Sequence, residues 1–253
     1  MHDIRRLEEL GLNSTAPTSQ LLYDGWLLRL LPGKAKRARS VNAVYPSTRP
    51  VEEKIGYCER FYREVGLPPI FRITPFSQPP DLDAQLDRLG YLRFETTAVE
   101  GAVLVPARFT DSAADANINL EPIDLPNWVD AIGELRDSPR CHRAAHLARL
   151  EGSPLPMRAL AIKENDQIVA TGLTIVEDGC AGLFDIVTHS DVRRKGHARR
   201  LVTGLLRAAW DLGARQAYLQ VKADNAPARA LYAPFGFAER YVYWYRGRPG
   251  DQA

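Results

Sequence analysis

The sequence predicts an α/β chain built from two similar halves, and three observations carry the prediction. Strand-like and helix-like apolar runs alternate along the 253 residues. The dipeptides Asp24-Gly25 and Asp178-Gly179 separate apolar runs as hairpin turns do, so part of the sheet is antiparallel. The third is a repeated order: strand, loop, helix, short strand, helix, Gly-aromatic pair, strand. Aligning Gly90-Tyr91 with Gly236-Phe237 places Ser47 opposite Arg193, Pro50 opposite Gly196 and Leu86 opposite Tyr232. Residues 111–117, small and polar, are the linker candidate, which gives expected domains of residues 1–115 and 116–253.

In the first half, Ile4, Leu7 and Leu10 recur at helical spacing and Gly11 ends the run. Residues 21–23 and 26–28 read as strands around Asp24-Gly25. Residues 33–39, rich in Lys and Arg, read as a solvated loop. A strand at 40–45 precedes a helix at 51–65, with Ile55, Cys58, Phe61, Tyr62 and Val65 on one face and Gly66 as its stop. A short strand at 70–73, a helix around Leu82, Leu86 and Leu89, and a strand from Phe94 to about Val105 complete this half.

The second half opens with a strand at Ile118 and a helix at 125–135 that turns Trp128, Val129 and Ile132 inward. A helix after Pro139 carries Cys141, His142, His146, Leu147 and Leu150. Strands at 157–163 and 167–176 follow, joined by Glu164-Asn165-Asp166. Next come a strand at 183–188 and a helix at 198–212, whose Leu201, Leu205 and Leu212 keep helical spacing. A strand at 217–221, the stretch from Asn225 to Tyr232, and a strand at 240–246 close the chain.

Between the 183–188 strand and the helix after it lies Arg193-Arg194-Lys195-Gly196-His197-Ala198. A basic, Gly-containing turn at a helix start is an anion site: free backbone N–H groups point outward and the helix dipole favours negative charge. Gly196 lets the backbone approach a phosphate closely. The net charge of +2 gives no broad basic footprint for nucleic acid, so this local charge points to a phosphorylated ligand. Cys58, Cys141 and Cys180 are scattered and suit a reducing cytosol. No apolar run approaches the ~20 residues of a membrane span, and the first residues carry no signal-peptide core. A cytoplasmic protein without a membrane or nucleic-acid partner is expected.

The order of these motifs resembles the GNAT superfamily of N-acetyltransferases over roughly residues 118–246. The family's phosphate-loop pattern Q/R-x-x-G-x-G/A is matched by Arg193, Gly196 and Ala198. Its later pattern N-x-x-A-x-x-x-Y, with G-F following, is matched by Asn225, Ala228, Tyr232, Gly236 and Phe237. The resemblance implies a mixed, mostly antiparallel sheet flanked by helices, with a central splayed parallel pair, in both halves. It implies acetyl-CoA as cosubstrate and an amine, small molecule or protein, as acceptor. The loop from Arg193 through Arg194, Lys195, Gly196 and His197 to Ala198 would hold the pyrophosphate. The main chain of Ile186, Val187 and Thr188 would hold the pantetheine arm and face the thioester. Asn225 would bind the amide-containing arm, and Tyr232 would protonate the leaving thiolate.

Amide formation from a thioester also needs a group that keeps the amine neutral. Where relatives carry Glu, this chain has Gln220 or Gly182, neither of which can accept a proton. Asp185, His189 and Glu177 are the base candidates, with Asp185 foremost. A non-catalytic acetyl-CoA sensor is the alternative reading. His142 and His146 stand at i, i+4, a zinc-compatible spacing, but without a Glu after His142 or further ligands. No metal is expected, and this helix is kept as an acceptor-site candidate. The first half lacks both the glycine loop and the phenol, which makes it a degenerate copy.

Overall fold

The structure is a computed structural model that describes residues 3–33, 35–110 and 118–251. The linker candidate at 111–117 lies outside the described residues. The chain forms two compact units, a larger one of Met1–Ser14, Val99–Val221 and Asn225–Arg240, and a smaller one of Thr15–Ala98, Lys222–Asp224 and Tyr241–Ala253. This division differs from the expected halves at both chain ends. The first helix, α1 (Ile4–Ser14), belongs to the larger unit. It buries Leu7 and Leu10 there, while Arg6 pairs with Glu177 at 3.1 Å and the Tyr218 hydroxyl donates to Ser14 Oγ at 3.0 Å. Helical spacing showed that α1 has an apolar face, but not which surface receives it.

In the smaller unit, β1 (Gln20–Tyr23) and β2 (Trp26–Arg29) form the hairpin that Asp24-Gly25 predicts. Both turn residues have positive φ, +42° and +83°, as a two-residue hairpin requires. Then follow β3 (Val41–Ala43), α2 (Val51–Glu64), β4 (Phe71–Ile73) and α3 (Leu82–Arg88). The sheet runs β1-β2-β3-β4, with β3 and β4 parallel, and the end of β11 (Ala238–Gly247) pairs antiparallel with β4. Trp26, Leu28, Val41, Phe71 and Ile73 pack against Ile55, Cys58 and Tyr62 of α2 and Leu82 and Leu86 of α3. Trp244 Nε1 and Arg246 both donate to Asp83, at 2.7 and 2.8 Å, which fixes the last strand to α3.

The strand β5 (Leu92–Val103) ends in the larger unit. There β6 (Asn119–Pro122), α4 (Leu125–Leu135), α5 (Arg140–Glu151), β7 (Met157–Glu164), β8 (Gln167–Glu177), β9 (Cys180–Thr188), α6 (His197–Asp211), β10 (Gln216–Lys222) and α7 (Ala226–Tyr232) follow in order. The sheet order is β5-β10-β9-β8-β7-β6. Pairs from β6 to β9 are antiparallel, whereas β9 and β10 run parallel. Leu173 and Ile175 pack with Trp128, Val129 and Ile132 of α4. Gly172, one residue away and so on the other face, lies against Leu201 and Leu205 of α6. Helices therefore cover both faces of the sheet, as expected. No helix among the described residues is long and apolar enough to cross a membrane.

Candidate active site

The parallel pair β9 and β10 organises the site. Register runs from Cys180 opposite Gln216 to Leu183 opposite Leu219 and then stops. Beyond those residues the two strands no longer pair, which is the splay expected at this point. On the other side, Thr171 faces Val187 while Leu173 faces Phe184. Gly172 thus opposes two residues, Asp185 and Ile186, and β9 carries a bulge. Asp185 has φ +52°, a left-handed backbone unusual for a non-glycine residue inside a strand. Such strain persists only where the surroundings over-determine it, and it concentrates at functional sites. Past the bulge Val187 and Thr188 still pair with Thr171 and Ala170 of β8, whereas the register with β10 has already ended at Leu183. The side chains of Phe184 and Val187 pack against the α4 core.

After Thr188 a short turn leads to the basic loop. Arg194 and Gly196 have φ +64° and +90°, and the loop residues Arg193, Arg194 and Lys195 are exposed. The first intrahelical bond of α6 is donated by Arg200 N to Gly196 O at 3.0 Å. The amides of His197 and Ala198 are therefore not spent on the helix. The His197 side chain is 4% exposed, and its Nε2 meets Glu164 Oε1 at 2.8 Å. Lys195 Nζ lies 3.5 Å from the same carboxylate. Among the described residues, His197 Nδ1 and Thr188 Oγ1 are buried without a hydrogen-bond partner. Unpaired polar atoms beside a cationic helix start fit a ligand that brings acceptors and donors of its own, as a phosphorylated coenzyme does. Among the described residues no group of three or more His, Cys, Asp or Glu side chains is placed to hold a metal ion.

Tyr232 ends α7 with its ring edge-on to Phe237, centroids 6.0 Å apart. It is 8% exposed. Burial, reinforced by the charge of Glu100, pushes its phenol up to about 12. The group stays protonated through the neutral range, as a proton donor must. Glu100 is buried and accepts from Arg229 Nε at 2.7 Å, a pairing that ties α7 to β5. Asn225 caps α7: its Oδ1 accepts from Ala228 N at 3.2 Å. That leaves its amide nitrogen as the part available to a ligand.

Asp185 does not stand alone. Arg136, just past the end of α4, donates to it at 2.6 Å, and His146 of α5 brings Nε2 to 3.7 Å. Burial pushes its carboxyl up, but Arg136, His146 and Arg149 together outweigh that and hold it below the ordinary range. A carboxylate so held is a weakened base. The other base candidates are placed elsewhere. Glu177 is bound by Arg6 and Asn13 at the opposite end of β9. His189 Nδ1 accepts from Asp191 N at 3.3 Å and caps a surface turn. At Gly182 a side chain would overlap the Phe184 ring and the Tyr218 hydroxyl, so the space a carboxylate needs is filled. Spacing along the chain carried no signal for Arg136 or Glu100, because each meets its partner through the fold, while His146 was marked by its i, i+4 spacing to His142 but not by its approach to Asp185.

In the smaller unit the turn at 47–50, which the aligned Gly-aromatic pairs set opposite Arg193–Gly196, is closed by side chains of the protein. The Asp24 carboxylate accepts from Thr48 N at 3.0 Å, Thr48 Oγ1 at 2.8 Å and Arg49 N at 2.9 Å. Buried Lys54 bonds the Asp24 carbonyl at 2.6 Å and the Ser47 hydroxyl. The amides that a phosphate would need are thus taken by a side chain of the protein. Those backbone bonds, from Arg49 foremost and then Thr48, hold the Asp24 carboxyl far below its usual range. The resulting stabilisation is present above the ordinary carboxylate pKa and is lost only as pH falls through the depressed value. Asp24→Asn keeps the left-handed turn but loses the charge. We expect a lower Tm at pH 7, with the gap to wild type closing in strong acid; Tm against pH checks this.

Comparison with known proteins places this geometry among relatives. Residues 125–237 match the model of the acetyltransferase (GNAT) family. The uncharacterized N-acetyltransferase YobR of Bacillus subtilis is 30% identical over 254 aligned positions, spanning 97% of this chain and 99% of that protein. The ribosomal protein bS18-alanine N-acetyltransferase of Salmonella typhimurium is 35% identical over 83 residues, 33% of this chain and 56% of that enzyme. Among solved structures, a GCN5-related N-acetyltransferase from Kribbella flavida superposes with TM-score 0.67 at 14% identity, covering 99% of this chain and 97% of that one. A tandem GNAT protein from the clavulanic acid biosynthesis pathway gives 0.65 at 15% identity, covering 94% and 86%. At those identities the likeness is one of fold.

Proposed function

The chain belongs to the acetyltransferase (GNAT) family, and we propose that it moves an acetyl group from acetyl-CoA to a primary amine by direct attack. One observation carries the reading: the left-handed bulge at Asp185 lies where β9 parts from β10 and opens into the basic start of α6. In that arrangement the amides of His197 and Ala198, with Arg193, Arg194 and Lys195, bind the pyrophosphate. The main chain of Ile186, Val187 and Thr188 takes the pantetheine arm and orients the thioester carbonyl, whose oxygen gains charge as the amine attacks. The Asn225 amide adds a contact to the arm. Tyr232 gives its proton to the leaving sulfur. The same dry surroundings that raise the phenol raise the proton affinity of a thiolate, so the transfer stays matched. Asp185 contributes charge at the bulge. Three free cysteines support a reducing, cytoplasmic setting.

Release of free thiol from acetyl-CoA in the presence of primary amines tests this. A suitable panel is spermidine, n-butylamine, lysine and a tripeptide that begins with alanine. Amine-dependent thiol release is expected. Tight acetyl-CoA binding without release by any amine would favour a coenzyme sensor instead.

A further inference from the structure

Residues 182 and 220 offer no proton acceptor, yet the bulge gathers titratable groups from three elements. His146 comes from α5, Arg136 from the end of α4 and Asp185 from β9. The imidazole stands edge-on to Trp128, with centroids 5.6 Å apart and planes at 74°. Its side chain keeps 23% exposure, so a ligand can reach it. The 3.7 Å from Nε2 to Asp185 Oδ2 is too long for a direct hydrogen bond, and the carboxylate acts on the ring by charge. Resting on the acetyl-transfer reading, we propose that His146 is the general base for the acceptor amine and that Asp185 and Arg136 are its positioning residues.

The proton balance closes. The amine nitrogen bonds to the acetyl carbon and the C–S bond breaks. His146 takes the proton that leaves nitrogen, and Tyr232 supplies one to sulfur. His146 then loses its proton to solvent, and the phenolate of Tyr232 regains one from solvent. A base must be neutral before it can act. Burial lowers the His146 pKa first, Asp185 opposes that, and Arg149 and Arg136 lower it further. On α5 itself, His142 and Arg143 precede His146 by four and three residues and so share its side of the helix. The net direction is below an ordinary histidine, so the ring is neutral at physiological pH and ready to accept.

The test uses the full chain, acetyl-CoA and whichever amine of the panel the wild type acetylates fastest, with kcat/KM followed against pH. Wild type should show an acid limb below the ordinary histidine range. His146→Gln should lower kcat by about 10²-fold, lose that limb, keep acetyl-CoA affinity and regain rate with added imidazole. The limb should move to lower pH in Asp185→Asn, which loses the supporting charge, and to higher pH in Arg136→Gln. An unchanged limb in His146→Gln overturns the proposal, as does a uniform loss at every pH that imidazole does not rescue. If wild type binds acetyl-CoA but acetylates no amine, the transfer reading falls and the base assignment with it.

Discussion

Arg193→Ala and Arg194→Ala combined with Gly196→Val should weaken acetyl-CoA binding by at least about 10²-fold. Each charge-assisted bond to a phosphate oxygen contributes roughly 1.5–3 kcal/mol. The two arginines are exposed, so screening by solvent favours the lower end and a combined loss of about 3 kcal/mol. Gly196 adds a separate effect. At φ +90° a β-branched residue is strained, and its side chain stands where a phosphate must approach the α6 amides. Titration calorimetry on the triple variant and on the two-arginine variant separates charge from backbone. Circular dichroism checks that α6 still forms. Wild-type affinity in folded protein would remove the pyrophosphate from this loop.

Tyr232→Phe should lower kcat by about 10²-fold and leave acetyl-CoA affinity nearly unchanged. The ring packs on Phe237 in either case, so the fold keeps its contact and only the proton is lost. Direct loss of kcat with unchanged Kd is the signature of an interaction made in the transition state. Full turnover in the variant would make Tyr232 a core residue that happens to end a helix.

Much of this architecture was legible in the sequence, for local reasons. The helix 125–135 was marked by the inward stripe of Trp128, Val129 and Ile132, and its Asp124 cap accepts from Asn127 N at 3.0 Å. The start of α6 was marked by Gly196, which the left-handed cap requires. Turns such as Asp24-Gly25 and Asp178-Gly179 fixed the antiparallel neighbours. The splay of β9 from β10 came from family resemblance, since no local pattern encodes where a ladder ends. What escaped was set by long-range packing. Arg136 and Asp185 are far apart in the chain, and their ion pair exists only because α4 lies over β9. Asp24 read as an ordinary hairpin residue, yet it fills the amide nest at Thr48 and Arg49. The chain termini joined the units opposite to those their positions implied, because an apolar helix face and a strand edge name no partner.

A single coenzyme site per chain is expected, built by the loop from Arg193 to Ala198 and absent from the turn at 47–50. In the smaller unit Asp24 already holds the turn amides, Pro50 lacks an N–H, and the residue aligned with Tyr232 is Leu86, which has no proton to donate. Equilibrium titration of the intact chain with acetyl-CoA measures this directly. One acetyl-CoA should bind per chain, falling to none detectable at the same concentrations in the Arg193, Arg194 and Gly196 variant. Two equivalents per chain, or one equivalent that survives in that variant, would contradict it.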